Sequence, residues 1–192
     1  MTSRLGLDGG SEPADIAAAK SVACDRDNEP PRSLASTHRP LVLGFGNILL
    51  GDDGAGVQLV KRLRSQVGAD VANFIDAGTL SFGLLPYIEA TASVLIIDAA
   101  ELNDTPGTIA LFEGLKMDQF LSSTHRRSVH EVGLIDLLDM ARVRDCLPPR
   151  RALLCLQPSR IDWGEHLSSP VAAALPEAAR QAVALLQRWK NN

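Results

Sequence analysis

Three cysteines in 192 residues are too few and too scattered to frame a fold. Cys24, Cys146 and Cys155 form no C-x-x-C pair, so neither a disulfide framework nor a thiolate metal site is expected, and all three read as buried or incidental thiols. Long apolar runs are missing too: no stretch approaches the roughly 20 residues that cross a bilayer. The N-terminus, MTSRLGLDGGSEPADIAAAK, lacks the charged-then-apolar layout of a secretory leader. There is no excess of positive charge, the formal net charge being −4, which removes any general attraction to nucleic acid or an anionic membrane. These absences point to a cytoplasmic protein with no nucleic-acid partner and no membrane insertion. Two hydrolytic signatures are absent as well, the H-E-x-x-H helix and the G-x-S-x-G elbow, so an ordinary zinc protease or nucleophilic triad is not expected.

What is present is the composition of a globular domain, 45% hydrophobic and 22% charged. Residues 1–39 stand apart. They hold Gly9-Gly10, Pro13 and Pro30-Pro31 with no sustained hydrophobic period, and read as a disordered N-terminal extension to a domain spanning 40–190. From Arg39 onward apolar runs recur. Strands are predicted over 41–45, 72–78, 93–99, 107–113 and 152–158, the run SVLIIDA (93–99) being apolar on both faces like a central parallel strand. Helices are predicted over about 54–67, 81–90, 130–143 and 170–189, with Pro176 expected to kink or restart the last. This alternation predicts an α/β fold: a single-domain three-layer sandwich with helices on both faces of a five-stranded, mostly parallel sheet. The link Asn103–Pro106 is too short for a crossover helix, so the fourth strand should run antiparallel to the third.

The segment GFGNILLGDDGAGV (44–57) poses the functional question. A glycine-rich turn between strand and helix usually cradles phosphate. Gly44 and Gly46 supply two glycines of a dinucleotide fingerprint, but Leu49 stands at the third position, and no P-loop lysine follows. Asp52 and Asp53 would repel a pyrophosphate, which leaves a dinucleotide-binding oxidoreductase, with Asp76 as its ribose-binding acid, as a minor alternative. A cation suits the turn better. One of the two aspartates can cap the following helix, and for Asp53 cap and metal ligand stay open on its own residues. Asp98 adds weight, since it ends an apolar strand where a carboxylate needs a partner. His130 is placed in the first turn of a helix opened by the capping pattern Ser128–Glu131, where the helix dipole keeps imidazole neutral and able to ligate. An Asp53–Asp98–His130 set suits a borderline divalent ion such as nickel, zinc or manganese. His125 and His166 have no spacing argument of their own.

The motifs GFGNILLGDDGAGV, DAGT (76–79), VLIIDA (94–99), PGT (106–108), SVHEVGL (128–134) and QPSRIDWGEHLSSPVAAALP (157–176), in this order, resemble the hydrogenase maturation proteases. The resemblance covers roughly residues 40–189. It implies a twisted α/β sheet and an endopeptidase that trims the C-terminal extension of the nickel–iron hydrogenase large-subunit precursor after nickel insertion, cutting just after a basic residue. Residue by residue, Asp53 matches the family's first metal-contacting acid, often Glu, while Asp98 matches the second and His130 the histidine. The resemblance further implies that nickel is carried by the substrate and that these residues are catalytic or sense the metal, in an aspartic or metal-assisted reaction. The expected partner is the nickel-loaded precursor, and the expected state a monomer. A non-catalytic nickel-binding chaperone using the same ligands is the other alternative.

Overall fold

The computed structural model describes residues 39–80, 82–123 and 129–191, with side chains outside 129–132. Its centre is a five-stranded sheet of order β2-β1-β3-β5-β4. The strands are β1 (Leu41–Phe45), β2 (Asn73–Gly78), β3 (Ser93–Ala99), β4 (Ile109–Glu113) and β5 (Arg150–Leu156). β1 pairs in parallel with β2 and β3, β3 in parallel with β5, and β4 antiparallel with β5. Every residue of β1 and β3 is buried, as continuous apolar runs covered on both faces require.

Alternation along the strands sends side chains to two cores. Val42, Leu95, Ile97 and Leu154 face one layer with helices α1 (Ala55–Val67) and α5 (Ser169–Asn191). Leu43, Ile96 and Leu153 face the other, with α2 (Leu85–Glu89), α3 (Leu115–Ser123) and α4 (Val129–Val143). The apolar spacing of the sequence puts Val57, Val60, Leu63 and Val67 on one stripe of α1, of which the first three are buried and Val67 half-buried, and Val171, Leu175, Ala182, Leu186 and Trp189 on one of α5, all buried.

Several expectations need correction. The helix α3 was not foreseen, because it offers only Met117 and Leu121 to the core and shows too short a period. β4 does run opposite to β3, yet it does not lie beside it, since β5 enters between them. The connection from β3 crosses the end of β5 instead, with Ala100 N–H donating to Leu156 O and Gly107 N–H to Gln157 O. Pro176 neither restarts nor divides α5, which stays one helix held by eight buried side chains against α1 and β5. Cys155 is a buried thiol, but Cys146 is disulfide-bonded. Count and spacing could not exclude a pair that only the folded chain brings together. The capping pattern Ser128–Glu131 and His125 also lie outside the described residues or side chains. No helix among the described residues is long and apolar enough to cross a membrane.

Candidate active site

From β1 the chain moves outward to β2, then returns to place β3 on the other side of β1 and continues away from it. The crevice at the carboxyl ends of β1 and β3 is therefore the switch point at which α/β sheets build their sites. A 3-10 turn, Gly51–Gly54, follows β1 and leads into α1, and it touches β3. Asp53 sits on this turn and Asp98 near the end of β3, exposed by only 3% and 2%. Both residues thus lie at the carboxyl ends of the neighbouring strands β1 and β3, one on the turn that follows β1 and one on β3 itself.

The glycines of the motif answer a packing demand rather than a phosphate. A Cβ at Gly56 would lie 2.4 Å from both Phe45 O and Ile97 O, so only glycine lets α1 start this close to β1 and β3. A Cβ at Gly44 would meet Gly56 O at 2.5 Å from the other side. Gly44 and Gly56 are committed to helix–strand contact, and Asp76, half-exposed, is paired with Lys61 of α1 at 3.1 Å, so Gly44 and Asp76 have tasks other than the ones the dinucleotide alternative gives them. Asp76 therefore belongs to the α1 face and not to the crevice.

Neither aspartate of the turn caps a helix through its side chain. Asp53 Oδ2 accepts the N–H of Asn47 at 2.7 Å, which folds the 47–50 loop back over the turn. Asp52 has a different task. Fully buried, it accepts the Ser159 N–H at 2.8 Å, the Arg160 N–H at 3.3 Å, and both the N–H (2.6 Å) and the hydroxyl (2.7 Å) of Ser168. Burial by itself would raise its pKa, but the Ser168 hydroxyl and the three N–H groups outweigh it and hold the carboxyl below its ordinary 3.8. Asp52 is a brace between the Gly51–Gly54 turn and the β5–α5 loop. The segment SRIDWGEHLS is thereby held to the turn, a task with no local signature of its own. The available signal was the second carboxylate in excess of any cap.

Asp98 Oδ1 accepts the N–H of Ala99 at 2.8 Å. It alternates with Val94 and Ile96, so it lies on the sheet face covered by α2–α4, in register with Cys155 of β5. That face matters for His130. α4 leads through residues 144–149 into the start of β5, so it runs opposite to the parallel strands. Its first turn, containing His130, is thus at the carboxyl end of the sheet, the end that bears Asp53 and Asp98. The His130 side chain lies outside those described, and among the described residues no three His, Cys, Asp or Glu side chains gather as a metal site. His166 is exposed on the β5–α5 loop. In chemical terms, two buried carboxylates at one crevice can receive a cation or take a proton from water.

Comparison with known proteins bears on this arrangement. The family model described as hydrogenase maturation protease matches residues 57–185. The hydrogenase expression/formation protein HupD of Rhodobacter capsulatus is 33% identical over 154 residues, covering 79% of this chain and 72% of HupD. The hydrogenase 2 maturation protease of Escherichia coli (strain K12) is 30% identical over 151 residues, covering 78% of this chain and 91% of its own. Among solved structures, the hydrogenase maturating endopeptidase HybD from E. coli aligns with a TM-score of 0.73 at 30% identity, over 78% of this chain and 93% of that one.

Proposed function

The chain belongs to the hydrogenase maturation protease family, and from that premise we propose that it is the endopeptidase that removes the C-terminal extension of a nickel–iron hydrogenase large-subunit precursor once nickel is in place. The observation that carries this reading is the placement of Asp53 and Asp98, both buried, at the switch point of the sheet. Nickel delivered within the substrate would meet these carboxylates there, and His130, from the first turn of α4, would complete a mixed oxygen and nitrogen set that favours borderline divalent ions.

In this reading the chain does two things. It recognises the nickel-bearing precursor through Asp53, Asp98 and His130, so that a precursor without metal engages poorly. It then directs water to the scissile carbonyl, with Asp53 or Asp98 taking the proton as water adds and a proton passing to the departing amine as the C–N bond breaks. A nickel, zinc or manganese ion held by the three residues would add Lewis-acid polarisation of that carbonyl.

The deciding experiment incubates the protein with nickel-loaded and nickel-free precursor and reads intact mass. Loss of the extension from the loaded form only is the expected result. Binding without any mass change would make the protein a nickel-binding chaperone. The variant His130→Ala should fold, bind both precursor forms about equally weakly and release no peptide. Normal cleavage by this variant would remove His130 from the site, and nickel-dependent binding without cleavage would restrict it to catalysis.

A further inference from the structure

We propose that the loop joining β5 to α5 is a docking surface for the folded body of the precursor, with Trp163 as its anchor, an inference that rests on the function proposed above. Trp163 is 83% exposed and Ile161 51% exposed, at the carboxyl edge of the sheet. A large apolar side chain standing in water is ordinary at a loose loop tip, but this loop is fastened along its length. Asp52 grips Ser159 and Arg160 at one end and Ser168 at the other. Between them Gly164 donates its N–H to Leu49 O at 2.9 Å and accepts the Gly51 N–H at 2.6 Å. The exposure of Trp163 is therefore built into a rigid frame, and a preordered aromatic costs little entropy when it is buried by a partner.

The frame also indicates the occupant. The segment bonded to Gly164 carries Ile48 and Leu49, exposed by 41% and 43%, which extends the apolar surface from the β5 loop to the β1 loop. Polar groups surround it, among them the Arg160–Asp162 pair at 3.6 Å and exposed Glu165, giving an apolar centre with a polar rim. The next residues along the chain are the turn with Asp53. A protein surface seated on Trp163 is continuous with the carboxylates, so the body that presents the scissile bond is the body that must cover this loop.

The test compares the wild type with Trp163→Ala and Trp163→Phe, measuring kcat and KM for precursor trimming, with melting curves and size-exclusion chromatography as companions. The alanine variant should keep its melting temperature, raise KM at least about tenfold, as aromatic anchors do, and leave kcat within about twofold. The phenylalanine variant should recover most of the loss. Unchanged KM in the alanine variant, or a loss confined to kcat, overturns the inference while the function stands. A wild-type dimer that Trp163→Ala converts to a monomer also overturns it, by assigning the surface to a second copy of the chain. A wild type that neither binds nor trims the precursor overturns the functional reading, and this inference with it.

Discussion

The two edges of the sheet match their charges in different ways. At the amino edge acids meet basic side chains. Glu89 at the end of α2 pairs with Arg144 at 2.5 Å, and Asp118 on α3 takes two hydrogen bonds from Arg151 of β5, at 2.9 and 2.5 Å, with Arg142 of α4 nearby. Glu113, at the end of β4, holds Arg188 of α5. At the carboxyl edge Asp52 is met by N–H groups and a hydroxyl, and Asp53 and Asp98 each accept a backbone N–H. Backbone N–H groups fix a carboxylate's position without cancelling its full charge, whereas a guanidinium does both. At the amino edge ion pairs join helices to strands. At the carboxyl edge N–H groups hold the carboxylate charges in position.

The largest effect should come from removing that charge. Asp98→Asn keeps the shape and one acceptor for the Ala99 N–H, and it should lower processing by about 10²- to 10⁴-fold with a melting temperature close to that of the wild type. Activity that survived while stability fell would assign Asp98 to the structure, like the acids of the other edge.

A smaller effect, on stability, is expected at Asp52. Asp52→Asn points an amide N–H₂ at donors that need an acceptor, costing roughly 1–3 kcal/mol, read as a lower urea midpoint at unchanged slope. Because the folded-state pKa of Asp52 lies below 3.8, its contribution is present above about pH 4 and is lost as pH falls through the lowered value. The variant should therefore lose less stability than the wild type on acidification below pH 4. An identical acid limb in the two proteins would contradict the brace.

The smallest effect is expected at the amino edge. Arg151→Met removes a partly buried partner of Asp118, whose carboxyl the Arg151 hydrogen bonds hold below its ordinary pKa, yet Arg142 stays at 3.7 Å. The cost should be about 1–2 kcal/mol in chemical denaturation, with precursor trimming unchanged. A loss of trimming at full stability would show that charge at one edge reaches the other.

The sequence carried β1, β3 and β5 well because they are continuous apolar runs, and β1 and β3 match their predicted limits residue for residue. It placed Asp53 and Asp98 at the carboxyl ends of β1 and β3 because strand ends next to glycine and apolar runs are local features. It could not carry strand order, since nothing local tells β5 to enter between β3 and β4. The role of Asp52 was hidden for the same reason, its partners lying 107 to 116 residues further along the chain. α3 was missed through the weakness of its own pattern, and the continuity of α5 through Pro176 follows from packing that outweighs a missing N–H.

The crossing of the β3–β4 connection over the end of β5 also sets an order of events during synthesis. β4 has β5 as its sheet partner, and that partner is made only after both α3 and α4 have been added. Gln157, at the tip of β5, then closes the junction: its side-chain oxygen accepts the Leu102 N–H at 2.6 Å, and its own N–H donates to Thr108 O at 2.8 Å. Until that residue leaves the ribosome, β3 has one open edge and β4 has two, each able to pair with a neighbouring nascent chain. The central strand that carries Asp98 is thus sealed only by a segment translated after α3 and α4, and a truncation before β5 should yield aggregate rather than a smaller domain.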